Sequence, residues 1–108
     1  MSQDFLGEFE QMVLLSVMRL DEQAYGLAIR DELETVAGRT PSSGALYTTL
    51  DRLEAKGLLE SSKGESTSDR GGRPRRYVRV TPEGRAMLAH GRNALMALWD
   101  GLEGALDG

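Results

Sequence analysis

Cysteine is absent from the 108 residues, which excludes disulfides and thiolate metal sites. His90 is the single histidine, so no second imidazole is available to share a metal with it. No metal or cofactor is expected. No carboxylate pair lies in an apolar setting that would shift its pKa, and GESTSDRGG lacks the GxxxxGK[ST] order of a phosphate-cradling loop. Catalytic residues are therefore not expected, and neither is an enzyme. Long apolar runs are missing too. The longest, Met12 to Met18, is far too short to span a bilayer. The opening MSQDFLGEFE is acidic and lacks the basic start of a secretory signal. These absences predict a cytoplasmic chain with no membrane partner.

A positive overall charge is also lacking, since the net charge is −4. Its distribution is uneven. Residues 1–38 hold 2 basic and 8 acidic side chains, net −6. Residues 39–79 hold 9 basic and 5 acidic, net +4, and residues 80–108 hold 2 and 4, net −2. An electrostatic footprint is local, so the acidic total does not exclude a polyanionic partner.

The most informative stretch is SSGALYTTLDRLEAK, residues 42–56, closed by Gly57. Leu46, Leu50 and Leu53 recur at i, i+4 and i+7, the spacing of one helix face. Ser42 suits the N-cap and Gly57 the left-handed position past the end. The opposite face offers Ser43, Tyr47, Thr48, Asp51 and Arg52. Such a face fits the DNA major groove, where Arg, Ser and Thr reach base edges or phosphates. A plain surface helix packed by its leucines fits the same pattern.

Two helices should precede it. One runs from about Gly7 to Leu20, with Phe9, Met12, Val13, Ser16, Val17 and Leu20 on a stripe and Leu14, Leu15 and Met18 largely off it. A helix apolar on more than one face must be covered on more than one side, by its own core or by a second subunit. The other runs from about Ala24 to Val36, with Tyr25, Ile29, Leu33 and Val36 as its core positions and Gly38 as C-cap. Helix, turn and helix with an exposed second face is the helix-turn-helix pattern. After Gly57, LLESSK reads as a strand, residues 64–74 as a loop, and RRYVRVT as a half-buried strand with Val78 and Val80 inward. Residues 70–79 contain Arg70, Arg73, Arg75, Arg76 and Arg79 and no acid. Five like charges on a hairpin tip suit phosphates, although a solvated loop carries the same residues.

Thr81-Pro82-Glu83 opens the last helix, which should reach about Leu106. Leu88, Leu95, Trp99, Leu102 and Leu106 form a coiled-coil-like seam broken by Gly91, Gly101 and Gly104. Each glycine costs about 1 kcal/mol relative to Ala, so this helix needs a surface to dock on. A homodimer joined through the first and last helices is expected, with Met12, Leu15, Leu95, Trp99 and Leu102 at its interface. Trp99 is the single tryptophan. Across a two-fold axis it serves either as an ordinary anchor or, with its symmetry mate, as a clamp for a flat aromatic effector. The expected fold is mainly α with a small β-hairpin. Residues 1–81 form a winged helix-turn-helix domain, and residues 82–108 a C-terminal dimerisation helix.

YGLAI (25–29), GALYTTLDRLEAKGLL (44–59), GGRPRRYVRVT (71–81) and Gly84 resemble the PadR family of bacterial transcriptional regulators over about residues 9–106. The resemblance implies a homodimer that binds double-stranded DNA in a sequence-specific manner, usually as a repressor. It places Ser43, Tyr47, Thr48 and Arg52 at the major groove. Arg73, Arg75 and Arg76 fall on the wing, with Lys63 at its base. The short C-terminal part is similar to the smaller branch of the family and leaves little room for a separate effector domain. The competing reading is a winged-helix adaptor that binds protein instead of DNA.

Overall fold

Leu14, Ile29, Leu33, Leu46, Leu50 and Leu53, each almost fully buried, form the centre of the molecule. The computed structural model that places them describes residues 5–66 and 74–107. Its elements in chain order are α1 (Glu8–Leu20), a 3-10 turn (Asp21–Gln23), α2 (Gly26–Ala37), α3 (Ser43–Ala55), β1 (Leu59–Ser66), β2 (Pro74–Val80) and α4 (Pro82–Trp99). β1 and β2 pair antiparallel, with Leu59 opposite Val80 and Lys63 opposite Arg76. Inward Leu59, Val78 and Val80 join the helical core. The result is a winged helix-turn-helix, mainly α with one small hairpin.

Local chemistry sets the ends of α3. The Ser42 hydroxyl accepts from the Ala45 amide at 3.1 Å, and Gly57 turns the chain away at φ +77°. Thr81 does the same for α4, accepting from the Gly84 amide at 3.0 Å. Its hydroxyl also donates to the Gly57 carbonyl at 2.7 Å, which ties the start of α4 to the end of α3.

Several expectations need correction. α2 starts at Gly26, not Ala24. The Ala24 carbonyl accepts from the Val78 amide at 2.9 Å and Tyr25 forms a β-bridge with Tyr77, so both residues are held extended. Leu14, off the proposed stripe, is fully buried, while Val36, proposed as core, is exposed. α1 is covered on two sides by its own chain, and α2 runs past the core before Val36. β1 runs to Ser66 and β2 starts at Pro74, so both strands extend into the span expected to be loop. α4 stops at Trp99 instead of continuing to Leu106. Gly101 adopts φ +83°, so Leu102 and Leu106 lie beyond the helix in successive turns. The first half of α4 packs on its own domain through Leu88 and Gly91, with Gln11 of α1 against Gly91.

α3 and α1 are also joined by charge. Lys56 at the end of α3 donates to Glu10 of α1 at 3.0 Å, and Glu10 also accepts from the Gly7 amide at 3.0 Å. Burial pushes the Glu10 carboxyl up, but the Gly7 amide and the Lys56 ammonium outweigh it and hold the group below its ordinary 4.5. A depressed folded-state value means the contribution is fully present above 4.5 and lost as pH falls through the folded value. The melting temperature of the wild type should therefore drop in acid below about pH 4.5. Glu10→Gln should lower it at neutral pH and make the acid limb shallower. An unchanged acid limb in that variant would remove Glu10 from the account.

Candidate nucleic-acid interface

The outward face of α3 is built by the leucines on its other side. Leu46, Thr49, Leu50 and Leu53 are buried, which turns Ser43, Tyr47, Thr48, Asp51 and Arg52 to the surface. The side chains of Thr48 and Arg52 make no hydrogen bond among the described residues, and the Arg52 charge is felt by Glu10 only through space. Both are available to an outside partner. Tyr47 is half-fixed. A Cβ on the buried Gly26 would collide with the Tyr47 hydroxyl and lie 2.7 Å from its ring carbon Cζ, so the phenol rests over the first turn of α2. Gly26 was not singled out from the sequence, and its role depends on a residue more than five helical turns away in the chain.

The hairpin stands beside this face. Lys63 is exposed on β1 and makes no ion pair among the described residues. Arg75 lies over the Tyr25 ring, with Cζ 4.1 Å from its centre, and Tyr25 meets Tyr77 edge-on at 5.7 Å. Arg79 donates twice to one Glu60 oxygen, at 3.0 and 2.9 Å. Arg76 reaches back to α3, donating to Asp51 at 2.9 Å, Glu54 at 2.6 Å and the Ser61 hydroxyl at 2.9 Å. Ser61 in turn donates to Glu54 at 2.6 Å. The Glu54 carboxyl is held below its usual range by the Ser61 hydroxyl and then by Arg76. Burial opposes the charged form of Arg76, but Glu54 and Asp51 outweigh it and raise its pKa. Arg70 and Arg73 lie outside the described residues.

The arginines of residues 70–79, a segment with no acid of its own, nevertheless meet acids in the fold. Asp51, Glu54 and Glu60 fall outside the window of residues 70–79, yet the fold sets them against its arginines. The structure brings Ser43, Tyr47, Thr48 and Arg52 onto one face. It holds Arg75 on the opposite strand edge, against Tyr25, and directs Arg76 toward the protein.

A second surface is apolar. Leu15 and Met18 of α1 are 48% and 39% exposed, and α4 leaves Leu95, Met96, Leu98 and Trp99 uncovered. Leu15 and Met18 border two grooves, one against α2 that includes Met12 and Val36, the other against α4 beside Leu88 and Ala89. No helix among the described residues is long and apolar enough to cross a membrane.

A polar, outward third helix flanked by a two-stranded wing defines a winged helix-turn-helix regulator. Residues 14–90 match the transcriptional regulator PadR-like family. The chain is 45% identical over 78 residues to the transcriptional regulator Rv3488 of Mycobacterium tuberculosis, covering 72% of this chain and 68% of that protein. The crystal structure of a PadR family transcriptional regulator from Eggerthella lenta superposes with a TM-score of 0.68 at 32% identity, covering 93% of this chain and 87% of the other. A PadR-like transcriptional regulator from Bacillus cereus shares the fold at 22% identity, with a TM-score of 0.69 and coverage of 93% and 92%. This chain belongs to the PadR-like family and is a transcriptional regulator.

Proposed function

We propose that this regulator binds double-stranded DNA in a sequence-specific manner as a homodimer and represses transcription from a two-fold symmetric operator. The observation that carries the reading is the exposed face of α3, where the Thr48 and Arg52 side chains make no hydrogen bond among the described residues, opposite a fully buried leucine row. Ser43 and Tyr47 complete that face, and Lys63, Arg73 and Arg75 of the wing supply charge toward the backbone. Residues 1–81 form the DNA-binding unit, and residues 82–108 serve dimerisation. Selection of bound duplexes from a random library should return a two-fold symmetric sequence with half-sites about one helical turn apart. Recovery of no preferred sequence, with binding insensitive to salt, would favour the protein-binding adaptor instead.

The dimer reading rests on the uncovered apolar side chains of α1 and α4. Met12, Leu15, Leu95, Trp99 and Leu102 supply the interface, and burying them removes apolar surface from water at about 25 cal/mol per Å². Leu15→Lys and Trp99→Lys change residues that are already 48% and 42% exposed, so the fold should survive. In sedimentation equilibrium the wild type should be a dimer and the double variant a folded monomer. A double variant that remains dimeric would move the interface elsewhere. A flat aromatic effector held between two Trp99 indoles would quench their fluorescence and release the operator.

A further inference from the structure

Resting on the DNA-binding reading, we propose that Arg76 is a positioning residue that neutralises the acidic side of the recognition helix and fixes the wing to it, and does not itself contact phosphate. The argument starts from charge. Along α3 the ionised side chains are Asp51, Arg52 and Glu54, and Lys56 just past its end is committed to Glu10. Without help from elsewhere, α3 presents one more negative than positive charge to a polyanion. Asp51 makes this acute. It lies three residues after Thr48 and one before Arg52, so its carboxylate sits on the side that would meet the duplex. Its side chain is 69% exposed, so in a complex with DNA it would meet the phosphates with little protein screening.

Arg76 answers both carboxylates with one planar fork. Nη1 takes Asp51, Nη2 takes Glu54, and Nε takes the Ser61 hydroxyl, which is itself bound to Glu54. Three of its five N–H donors, one on each nitrogen, are thereby used inside the protein. The same bonds join three elements: β2 carries Arg76, β1 carries Ser61 and α3 carries the acids. A wing anchored in this way holds its angle to the recognition helix before DNA arrives. Turning the guanidinium outward to a phosphate would draw it from Asp51 and Glu54 and leave both carboxylates facing the backbone.

The test is a cycle on the full-length protein. Binding to the selected duplex is measured by fluorescence anisotropy for the wild type, Arg76→Ala, Asp51→Asn with Glu54→Gln, and all three changes together. Arg76→Ala should weaken binding about tenfold in the wild-type background and less than about threefold in the background with neutral amides, where no charge needs compensation. An equal or larger loss in the amide background would make Arg76 a phosphate contact and overturn the proposal. If thermal melting shows Arg76→Ala to be unfolded, Arg76→Gln takes its place, since it keeps a donor for Ser61, and the same two comparisons decide. A wild type that binds no duplex overturns the DNA-binding reading and this inference with it. A wild type that binds, with equal losses in both backgrounds, overturns this inference alone.

Discussion

Gly84→Ala should lower the melting temperature by about 10–20 °C, the largest stability effect expected of any single methyl group in this chain. Gly84 is buried in the first turn of α4, where the helix crosses the turn that ends α3. A Cβ there would collide with the Leu58 carbonyl oxygen and stand 2.7 Å from Cγ1 of Val80. Neither neighbour can yield. The Leu58 carbonyl is fixed because it accepts from the Thr81 amide at 3.1 Å, and Val80 is packed in the core. Overpacking of a tight site costs about 1–3 kcal/mol, and the rigid neighbours place this one at the upper end. In a domain of this size each kcal/mol moves the midpoint by about 4–8 °C. Gly104→Ala is the control, since nothing lies within 4 Å of its Cβ position and its melting curve should superimpose on the wild type. Circular dichroism of both variants settles the matter. A Gly84→Ala protein that melts within a few degrees of the wild type would mean that α4 can lift from the α3 turn at little cost.

Arg52→Ala and Thr48→Ala should do the reverse, sparing the fold and damaging recognition. Both side chains are exposed and neither holds another element in place. Their melting temperatures should therefore stay near that of the wild type. On the preferred duplex each substitution should cost about 1–3 kcal/mol if the side chain reads a base edge, which is roughly a ten- to hundredfold loss. On random duplex the loss should be smaller for a base reader and equal for a phosphate contact, and this comparison assigns the role of each residue. Leu50→Ala offers the contrast. It empties a fully buried site in the same helix, so its binding loss should accompany a loss of about 2–5 kcal/mol in stability. Full operator affinity in both folded surface variants would show that α3 does not read DNA.

The order of elements was legible because it depends on local rules. Leucines 46, 50 and 53 repeat at helical spacing, Ser42 and Thr81 cap, and Gly57 and Gly38 take the left-handed positions their neighbours require. The outward face of α3 followed from the same spacing. What escaped the sequence depends on contacts between distant segments. Nothing in residues 70–79 announces that the acids answering Arg76 stand at positions 51 and 54 of another element. Gly26 gives no sign that Tyr47 will lie over it. Val36 shares its period with the buried Leu33, and periodicity alone does not tell where the core ends. The last helix failed for a related reason. A seam of leucines continues through Leu106 on paper, but Gly101 turns left-handed just past Asp100 and ends the helical run.

The hydrogen bond from the Val78 amide to the Ala24 carbonyl has a consequence for aggregation. The outer edge of a two-stranded hairpin is an open template on which another chain can add a strand. Here that edge of β2 is already occupied near its middle, by Ala24 at 2.9 Å and by the Tyr25–Tyr77 bridge alongside. A second copy cannot extend the sheet through Val78 without first pulling the start of α2 away. Strand addition through β2 is thus blocked at the point where the wing meets the body.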